Sequence, residues 1–511
     1  MRQIILLILD GWGWSKNPTG NAILAADTPN INHLRQSYPF FLLQASGLAV
    51  GLPPLEEGNS EVGHLTLGSG RIIIQYLTLI NESFKNGSFF SNENFKKLCG
   101  HIEKNKSNLH IAGLLTSGKV HSSIDHLLSI TEYLKTKELS GNVFLHLFTD
   151  GKDSGKKESL FLLEKIEKAI QNSKIKIGSI IGRDFAMDRD TNWLRTEQAY
   201  ELLVFGKGEK VSDFKEAVKN HHSSGTPDDL MPPMASNQSS LIKDEDGILF
   251  FNFREDSMRQ LVMAFGDQNF DVFETKKFGN LFLATMTNYG NGLKIEPLFK
   301  RPEIKNTLGE VLEKSSLKQA RIAETAKYAH LTYFFNGLRE KEFEGETDLL
   351  IPSLKEFEQN PKMRAEEIAE KIIEEMRNQN FEFIVANFAN ADMLSHTGNF
   401  EATTKGVEAV DQAVGKIYQA SLISNPVILI TGDHGNAETL TYLGTGEKES
   451  KHNPNPVPLF IVGQEFKKDK NEEEILYEES RIAGMLQDIA PTILKLMKIE
   501  KPPEMTGLDL I

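Results

Sequence analysis

The chain opens on Ile4-Ile5-Leu6-Leu7-Ile8-Leu9-Asp10-Gly11-Trp12-Gly13. Its continuous apolar run, partly β-branched, has neither the alternation of a half-exposed strand nor the spacing of an amphipathic helix. A run of this kind is a strand buried on both faces, the central strand of a parallel sheet, and it predicts an α/β fold. Asp10 then stands at the strand's carboxyl end, the edge at which open α/β sheets bind ligands. It is a candidate ligand, although a plain turn-forming Asp-Gly fits the same residues.

Working outward, strands are expected at Leu109 to Leu115, Val143 to Phe148, Lys176 to Ile181, Gly247 to Phe253 and Asn280 to Thr285. Polar residues follow the first four directly, a pattern that fits one binding edge on a second sheet. Residues 71–80 leave the first region, and Asn81 to Phe95 reads as a linker followed by a helix. A break falls at Pro297 to Pro302. Beyond it come a helix at Asn306 to Glu313, a strand at Gln319 to Ala323 and a helix at Lys362 to Arg377. Further strands are expected at Phe381 to Phe388, Val427 to Ile430 and Pro458 to Val462. The simplest architecture is an outer α/β domain built from both chain ends, with a second α/β domain inserted.

The 511 residues allow two to four domains, and 40% hydrophobic with 25% charged residues is the balance of a soluble globular protein. A net charge of −14, from 57 basic and 71 acidic residues, argues against a nucleic-acid binder or a membrane-surface binder. No apolar run reaches spanning length. Cys99 is the lone cysteine, so an internal disulfide is excluded and a reducing, cytoplasmic setting is expected.

Gly58-Asn59-Ser60-Glu61-Val62-Gly63-His64 carries no strand or helix periodicity. A serine on such a turn is presented to a cleft, yet it is a weak nucleophile without a base or a metal ion. The spacing is not that of the Gly-x-Ser-x-Gly elbow. The segment alone favours a serine that caps a helix containing Gly63 and His64.

Metal ligands are plentiful elsewhere. Asp392 and His396 stand four apart and share one face of a helix or tight turn. Asp433 and His434 follow a strand, and His452 lies in the loop Lys451-His452-Asn453-Pro454. With Asp10, these supply enough ligands for two cations. Mixed carboxylate and imidazole donors suit Mn or Zn better than Ca or Mg. Two such ions lower the pKa of a hydroxyl and clamp both oxygens of an in-line phosphoryl displacement. A phosphoserine at Ser60 follows as an expectation.

In the inserted region His121, Lys152, Asp153, Arg183, Arg189 and Arg254 stand near strand ends. Arginines recognise phosphate and carboxylate by paired hydrogen bonds. The implied substrate is small and carries at least two anionic groups.

Taken together, these segments resemble the 2,3-bisphosphoglycerate-independent (cofactor-independent) phosphoglycerate mutases of the alkaline phosphatase superfamily. The likeness runs nearly end to end. It is carried by Asp10-Gly11-Trp12-Gly13, Gly58 to His64, Gly182-Arg183, Ala186-Met187-Asp188-Arg189-Asp190, Phe251 to Arg254, Lys327-Tyr328-Ala329-His330, Asn387, Thr431 to Asn436 and His452-Asn453. The resemblance implies an alkaline-phosphatase-like three-layer domain at 1–75 and 303–511. It implies an inserted substrate-binding domain at 80–298, with hinges near 75–80 and 298–303. It makes Ser60 the nucleophile. One metal is then held by Asp392, His396 and His452, and the other by Asp10, Ser60, Asp433 and His434. His121, Lys152, Asp153, Arg183, Arg189, Arg254 and Lys327 hold the substrate, and Lys327 also neutralises charge at the transferring group. The implied cofactors are two Mn2+ ions (Zn2+ or Co2+ being alternatives), without 2,3-bisphosphoglycerate, and the implied state is a monomer with no nucleic-acid or membrane partner.

Three positions depart from the family pattern: Lys152 replaces an arginine, Ser257 replaces a second arginine three residues after Arg254, and Lys119 replaces a glycine. One lost charged contact costs about 1.5–3 kcal/mol; Arg259 is a candidate to compensate, and slower turnover or a different substrate are the alternatives. The expected reaction is interconversion of 3-phosphoglycerate and 2-phosphoglycerate. The rivals are a metal-dependent phosphomonoesterase or a mutase of a related phosphometabolite, motivated by Lys152 and Ser257, and a binding protein without turnover.

Overall fold

The computed structural model describes residues 2–137, 139–236, 240–301, 303–442 and 444–511. They form two compact α/β units, one drawn from 1–75 with 303–511 and the other from 76–302. Each unit is built on one eight-stranded sheet.

In the first unit Ile4–Leu9 lies mid-sheet, parallel to Phe383–Phe388 on one side and to Val427–Gly432 on the other. Across the sheet the order is Glu346–Ile351, Gln319–Glu324, Phe383–Phe388, Ile4–Leu9, Val427–Gly432, Val457–Val462, Phe40–Gln44, Ile482–Met485. All six residues of Ile4–Leu9 are buried, a gain of about 1.5–3 kcal/mol for each side chain. Alternate side chains enter different cores. Ile5, Leu7 and Leu9 pack with Ile368, Ile372 and Val414 of the helices Ala365–Asn378 and Phe400–Ser424. Ile4, Leu6 and Ile8 pack with Val62, Leu67 and Ile493 of the helices Ser60–Ser69 and Ile489–Met497. Helices thus cover both faces, and the expected three layers are present. The three central strands run the same way, so their carboxyl ends share one edge. There the Asp392 amide donates to the Asp10 carbonyl at 3.0 Å.

The second sheet runs Glu296–Pro297, Phe282–Thr285, Gly247–Phe250, Leu109–Leu115, Val143–Thr149, Ile175–Gly182, Met234–Ser236, Glu209–Val211. Leu109–Leu115 is parallel to both Val143–Thr149 and Gly247–Phe250, and Val143–Thr149 is parallel to Ile175–Gly182. One edge therefore collects the residues that follow these four strands, as expected. Leu145 and Leu147 face a core with Leu127 and Leu163, while Leu114 and Phe148 face another with Tyr200 and Leu261.

Several elements differ from expectation. Residues 81–95 are not a linker: helix Tyr76–Lys85 runs through their start, and a short turn at Ser88–Ser91 leads into helix Glu93–Asn105. Aromatic residues inside that polar stretch order it; the rings of Phe84 and Phe89, and of Phe90 and Tyr133, stack with centroids 4.1 Å apart. The strand beginning at Gly247 stops at Phe250 rather than Phe253. Strands Phe40–Gln44, Glu346–Ile351 and Ile482–Met485 were not expected. Pro302, within the stretch expected to hinge, lies outside the described residues. Among the described residues no helix is long and apolar enough to cross a membrane.

Candidate active site

Ser60 is the first residue of helix Ser60–Ser69, and Asn59 is the cap, its Oδ1 accepting from the Val62 amide at 3.1 Å. The residue N-terminal to the serine therefore takes the capping role. Ser60 is free to point its hydroxyl inward, where it is buried. Its Oγ accepts from Lys327 Nζ at 2.7 Å, donates to Asp10 Oδ1 at 3.0 Å and lies 3.1 Å from His434 Nε2. Lys327 Nζ also donates to Asp10 Oδ1 at 2.8 Å and to Asp392 Oδ2 at 2.7 Å. All seven expected metal ligands and Lys327 belong to the first unit and gather at its sheet edge.

Asp392 lies in helix Asn390–Ser395, which His396 terminates, and the spacing of four brings His396 Nε2 within 3.3 Å of Asp392 Oδ1. His452 Nε2 is 3.2 Å from the same oxygen and 3.1 Å from His396 Nε2. Ligands about 2.1 Å from a common ion stand roughly 3.0–3.4 Å apart, so these three atoms have the spacing of a metal site. Their protonation agrees. His396 Nδ1 lies 2.9 Å from the Ser450 carbonyl and His452 Nδ1 lies 2.9 Å from the Gly58 carbonyl. With each Nδ1 directed at a carbonyl, the neutral ring leaves Nε2 turned toward Asp392 with a lone pair for an ion. Without an ion, Asp392 favours the protonated His396 ring, and the two Nε2 atoms 3.1 Å apart share a hydrogen bond whose proton a metal ion would displace.

The second set is Asp10, Ser60, Asp433 and His434. His434 Nε2 is 3.4 Å from Asp10 Oδ1 and 3.6 Å from Asp433 Oδ2. Asp433 Oδ2 is buried and accepts no hydrogen bond, an orphan that a cation would satisfy. His64 Nδ1 sits 3.1 Å from that oxygen, and Asp10, His64 and Asp433 could themselves group around an ion. However, His64 Nδ1 donates to the Ser60 carbonyl at 2.8 Å and its Nε2 accepts from Asn387 Nδ2 at 3.0 Å. Both ring nitrogens are committed, which leaves His434 as the imidazole for this set.

Three carboxylates surround one ammonium and one imidazole, and the titration of these groups follows from that charge balance. Burial alone would push the Lys327 ammonium down, but Asp10, Asp392 and Asp433 hold it above its ordinary range. Burial likewise opposes ionisation of Asp10 and Asp392, and Lys327 holds both below the usual carboxylate range. His434 is pushed down by burial and more strongly up by Asp433, Asp10 and Asp392, to about 9. Amides fix the carboxylates in place: Asn387 Nδ2 donates to Asp10 Oδ2 at 2.7 Å and Asn436 Nδ2 to Asp392 Oδ1 at 2.8 Å. Gly11 adopts φ +70°, and a Cβ there would fall 2.8 Å from Asp392 Cα. The turn after the central strand therefore requires glycine.

In the second unit the expected basic residues fall into three groups. His121 Nδ1 is 2.6 Å from Asp153 Oδ2, and Arg183 Nη1 pairs with Asp150 at 2.6 Å and Asp153 at 3.1 Å. Burial opposes ionisation of Asp153, but His121 and Arg183 hold its carboxyl low. His121 Nε2 is buried without a hydrogen-bond partner. A second group joins Arg189 and Arg254 through Asp256, at 2.9 Å and 3.1 Å. The backbone amides of Phe253 and Arg254 donate to the His121 carbonyl at 2.9 and 3.4 Å, linking the two groups. Lys152 stands apart, its ammonium paired with Asp184. Ser257 is buried and its Oγ has no hydrogen-bond partner. Arg259 Nε is bonded to the Tyr289 carbonyl at 3.0 Å.

Sequence reasoning missed Asp150, Asp256 and Glu438, and gave no part to His64. Acidic residues next to Gly151 and Arg254, or in Asn436-Ala437-Glu438, carry no periodicity that separates a buried anchor from a surface charge.

The profile of the Metalloenzyme superfamily matches residues 2–501. A 2,3-bisphosphoglycerate-independent phosphoglycerate mutase 1 of Methanosarcina barkeri is 44% identical over 100% of this chain and 98% of its own. The 2,3-bisphosphoglycerate-independent phosphoglycerate mutase of Clostridioides difficile is 42% identical over 100% and 99%. The crystal structure of Leishmania mexicana phosphoglycerate mutase at low cobalt concentration superposes with a TM-score of 0.70 at 30% identity, covering 99% of this chain and 97% of that one. On end-to-end matches of this depth, the chain belongs to the Metalloenzyme superfamily and, within it, to the 2,3-bisphosphoglycerate-independent phosphoglycerate mutases.

Proposed function

We propose that this chain interconverts 3-phosphoglycerate and 2-phosphoglycerate through a phosphoserine at Ser60. The observation that carries the reading is the buried Ser60 Oγ, held at once by Lys327, Asp10 and His434. Asp392, His396 and His452 would hold one divalent ion, and Asp10, Ser60, Asp433 and His434 a second. The donor set suits Mn2+ or Zn2+; the family resemblance implies Mn2+, with Zn2+ and Co2+ as alternatives. Ions bound there would supply Lewis acidity, lowering the pKa of the Ser60 hydroxyl and neutralising the phosphoryl oxygens.

The chain's own residues do the rest. Ser60 Oγ forms the new P–O bond as the bond from phosphorus to the substrate oxygen breaks; the serine gives up its proton, which in the resting site is directed at Asp10 Oδ1 3.0 Å away, and the departing substrate oxygen takes one up, so charge and protons balance. Lys327 places a fixed positive charge 2.7 Å from the attacking oxygen, where negative charge develops. Ser60 sits at the N-terminus of a ten-residue helix, whose exposed amides favour a phosphate on that side chain. His121, Asp153, Arg183, Arg189 and Arg254 are proposed to hold the glycerate while its other hydroxyl turns toward phosphorus. Lys152, whose ammonium pairs with Asp184 outside these two groups, is proposed as a further contact to the substrate.

Purified protein assayed with Mn2+ and 3-phosphoglycerate should form 2-phosphoglycerate with no matching release of phosphate. Release of phosphate without isomerisation would establish the phosphomonoesterase reading instead.

A further inference from the structure

Glu438 is fully buried within the first unit, and no lysine or arginine pairs with it among the described residues. A buried carboxylate without a cation is costly unless hydrogen bonds satisfy it. Glu438 Oε2 accepts from the backbone amides of Gly13 and Asn436, both at 3.0 Å. Its Oε1 accepts from Asn455 Nδ2 at 3.0 Å. These partners lie on three loops: the one after strand Ile4–Leu9, the one after strand Val427–Gly432 and the 452–455 loop. The loops carry Asp10, then Asp433 and His434, then His452. Space around the carboxylate is reserved for it: a Cβ at Gly13 would fall 2.2 Å from its carboxyl carbon, and one at Gly435 2.5 Å from Oε1.

We propose that Glu438 is a positioning residue of the metal centre, joining the three ligand-bearing loops so that their donor atoms keep the spacing of a bound ion. The inference rests on the metal-centre reading given above. Glu438 makes its hydrogen bonds to the loops that carry the ligands and acts through them.

The test uses full-length protein stripped of metal by chelation. Mn2+ binding is read from the free-ion paramagnetic resonance signal, and thermal melts are run with and without Mn2+. Glu438→Leu, which removes both acceptor oxygens and with them all three hydrogen bonds, is expected to weaken Mn2+ binding 10- to 100-fold, the usual cost of losing a partner that orients ligands. It should also shrink the Mn2+-induced rise in Tm. Glu438→Gln keeps an oxygen for the Gly13 and Asn436 amides and should restore most of the affinity. A folded Glu438→Leu protein that binds Mn2+ like the wild type overturns the proposal, whatever its metal-free Tm. If Glu438→Leu does not fold, Glu438→Asp replaces it. That variant keeps the charge but withdraws the carboxylate by one methylene. It is expected to bind Mn2+ more weakly than Glu438→Gln, and the reverse order overturns the proposal. Asp392→Asn separates the two readings. If it leaves Mn2+ binding intact, the metal centre itself fails and this inference with it. If it abolishes binding while Glu438→Leu does not, only the positioning role fails.

Discussion

Replacing Lys327 by methionine removes one charge and three short hydrogen bonds, to Asp10, Ser60 and Asp392, from a buried site. Two carboxylates then face each other without their ammonium. Breaking a buried pair in this way costs about 3–5 kcal/mol, so metal-free Lys327→Met protein should lose that much stability in urea titration. Divalent ions supply replacement positive charge, so saturating Mn2+ should recover most of the loss. Catalysis should not recover. Removing one preorganised donor from the place where charge develops costs about 2.7–4 kcal/mol of barrier, or 100- to 1,000-fold in kcat. The assay is conversion of 3-phosphoglycerate at saturating Mn2+, beside urea melts of both metal states. A kcat within about threefold of wild type, under 1 kcal/mol of barrier, would refute the charge role given to Lys327.

Ser60→Ala should stay folded and lose about three decades of activity or more, because it removes the hydroxyl that Asp10 and Lys327 hold at the ligand cluster; turnover near wild type, measured with phosphate-free substrate, removes the phosphoserine. In metal-free protein His434 keeps its proton up to about pH 9, so Mn2+ must displace that proton and its association constant should rise roughly tenfold per pH unit between 7 and 9. Calorimetry in buffers of different ionisation enthalpy counts the released proton, and a flat profile contradicts the account. The same raised pKa means that the imidazolium stabilises the metal-free fold fully below pH 6.5 and that this contribution fades as pH rises through about 9. Arg183 and Arg254 should part company under alanine substitution. Arg183 leaves buried Asp150 unpaired and should cost about 3–5 kcal/mol in denaturant, whereas half-exposed Arg254 should cost under about 1 kcal/mol and chiefly raise KM.

The central strand was legible because burial on both faces leaves an unbroken apolar run, and Ile4 to Leu9 has no other comfortable conformation. Ligand positions were legible for a related reason: Asp10, Asp392, Asp433 and His434 all come within a few residues of such runs. Edge strands were not. Ile482-Ala483-Gly484-Met485 is short and partly exposed, so little in it records the neighbour that makes it a strand. The amide framework was equally silent. Asn387 bonds Asp10 across 377 positions of sequence, and only the fold chooses that partner. Lys152 marks the same limit from the other side: its charge is plain in the sequence, while its attachment to Asp184 is not. The asparagine cap at position 59 shifted the serine one place into its helix, a difference that capping propensity alone could not decide, since both residues cap well.

The strand Ile4–Leu9 is synthesised well before both of its sheet neighbours, which are encoded about 400 residues later. At about 5–20 residues per second of synthesis, Ile4 to Leu9 waits about 20–80 s for Phe383–Phe388 and Val427–Gly432. Throughout that interval a wholly apolar ribbon with two unpaired edges is available to any other nascent chain. The intervening segment, contiguous from 76 to 302, can bury its own sheet during the same wait. The wide separation in sequence between this strand and its partners thus leaves an apolar ribbon open to off-pathway pairing for as long as the rest of the first unit is unmade.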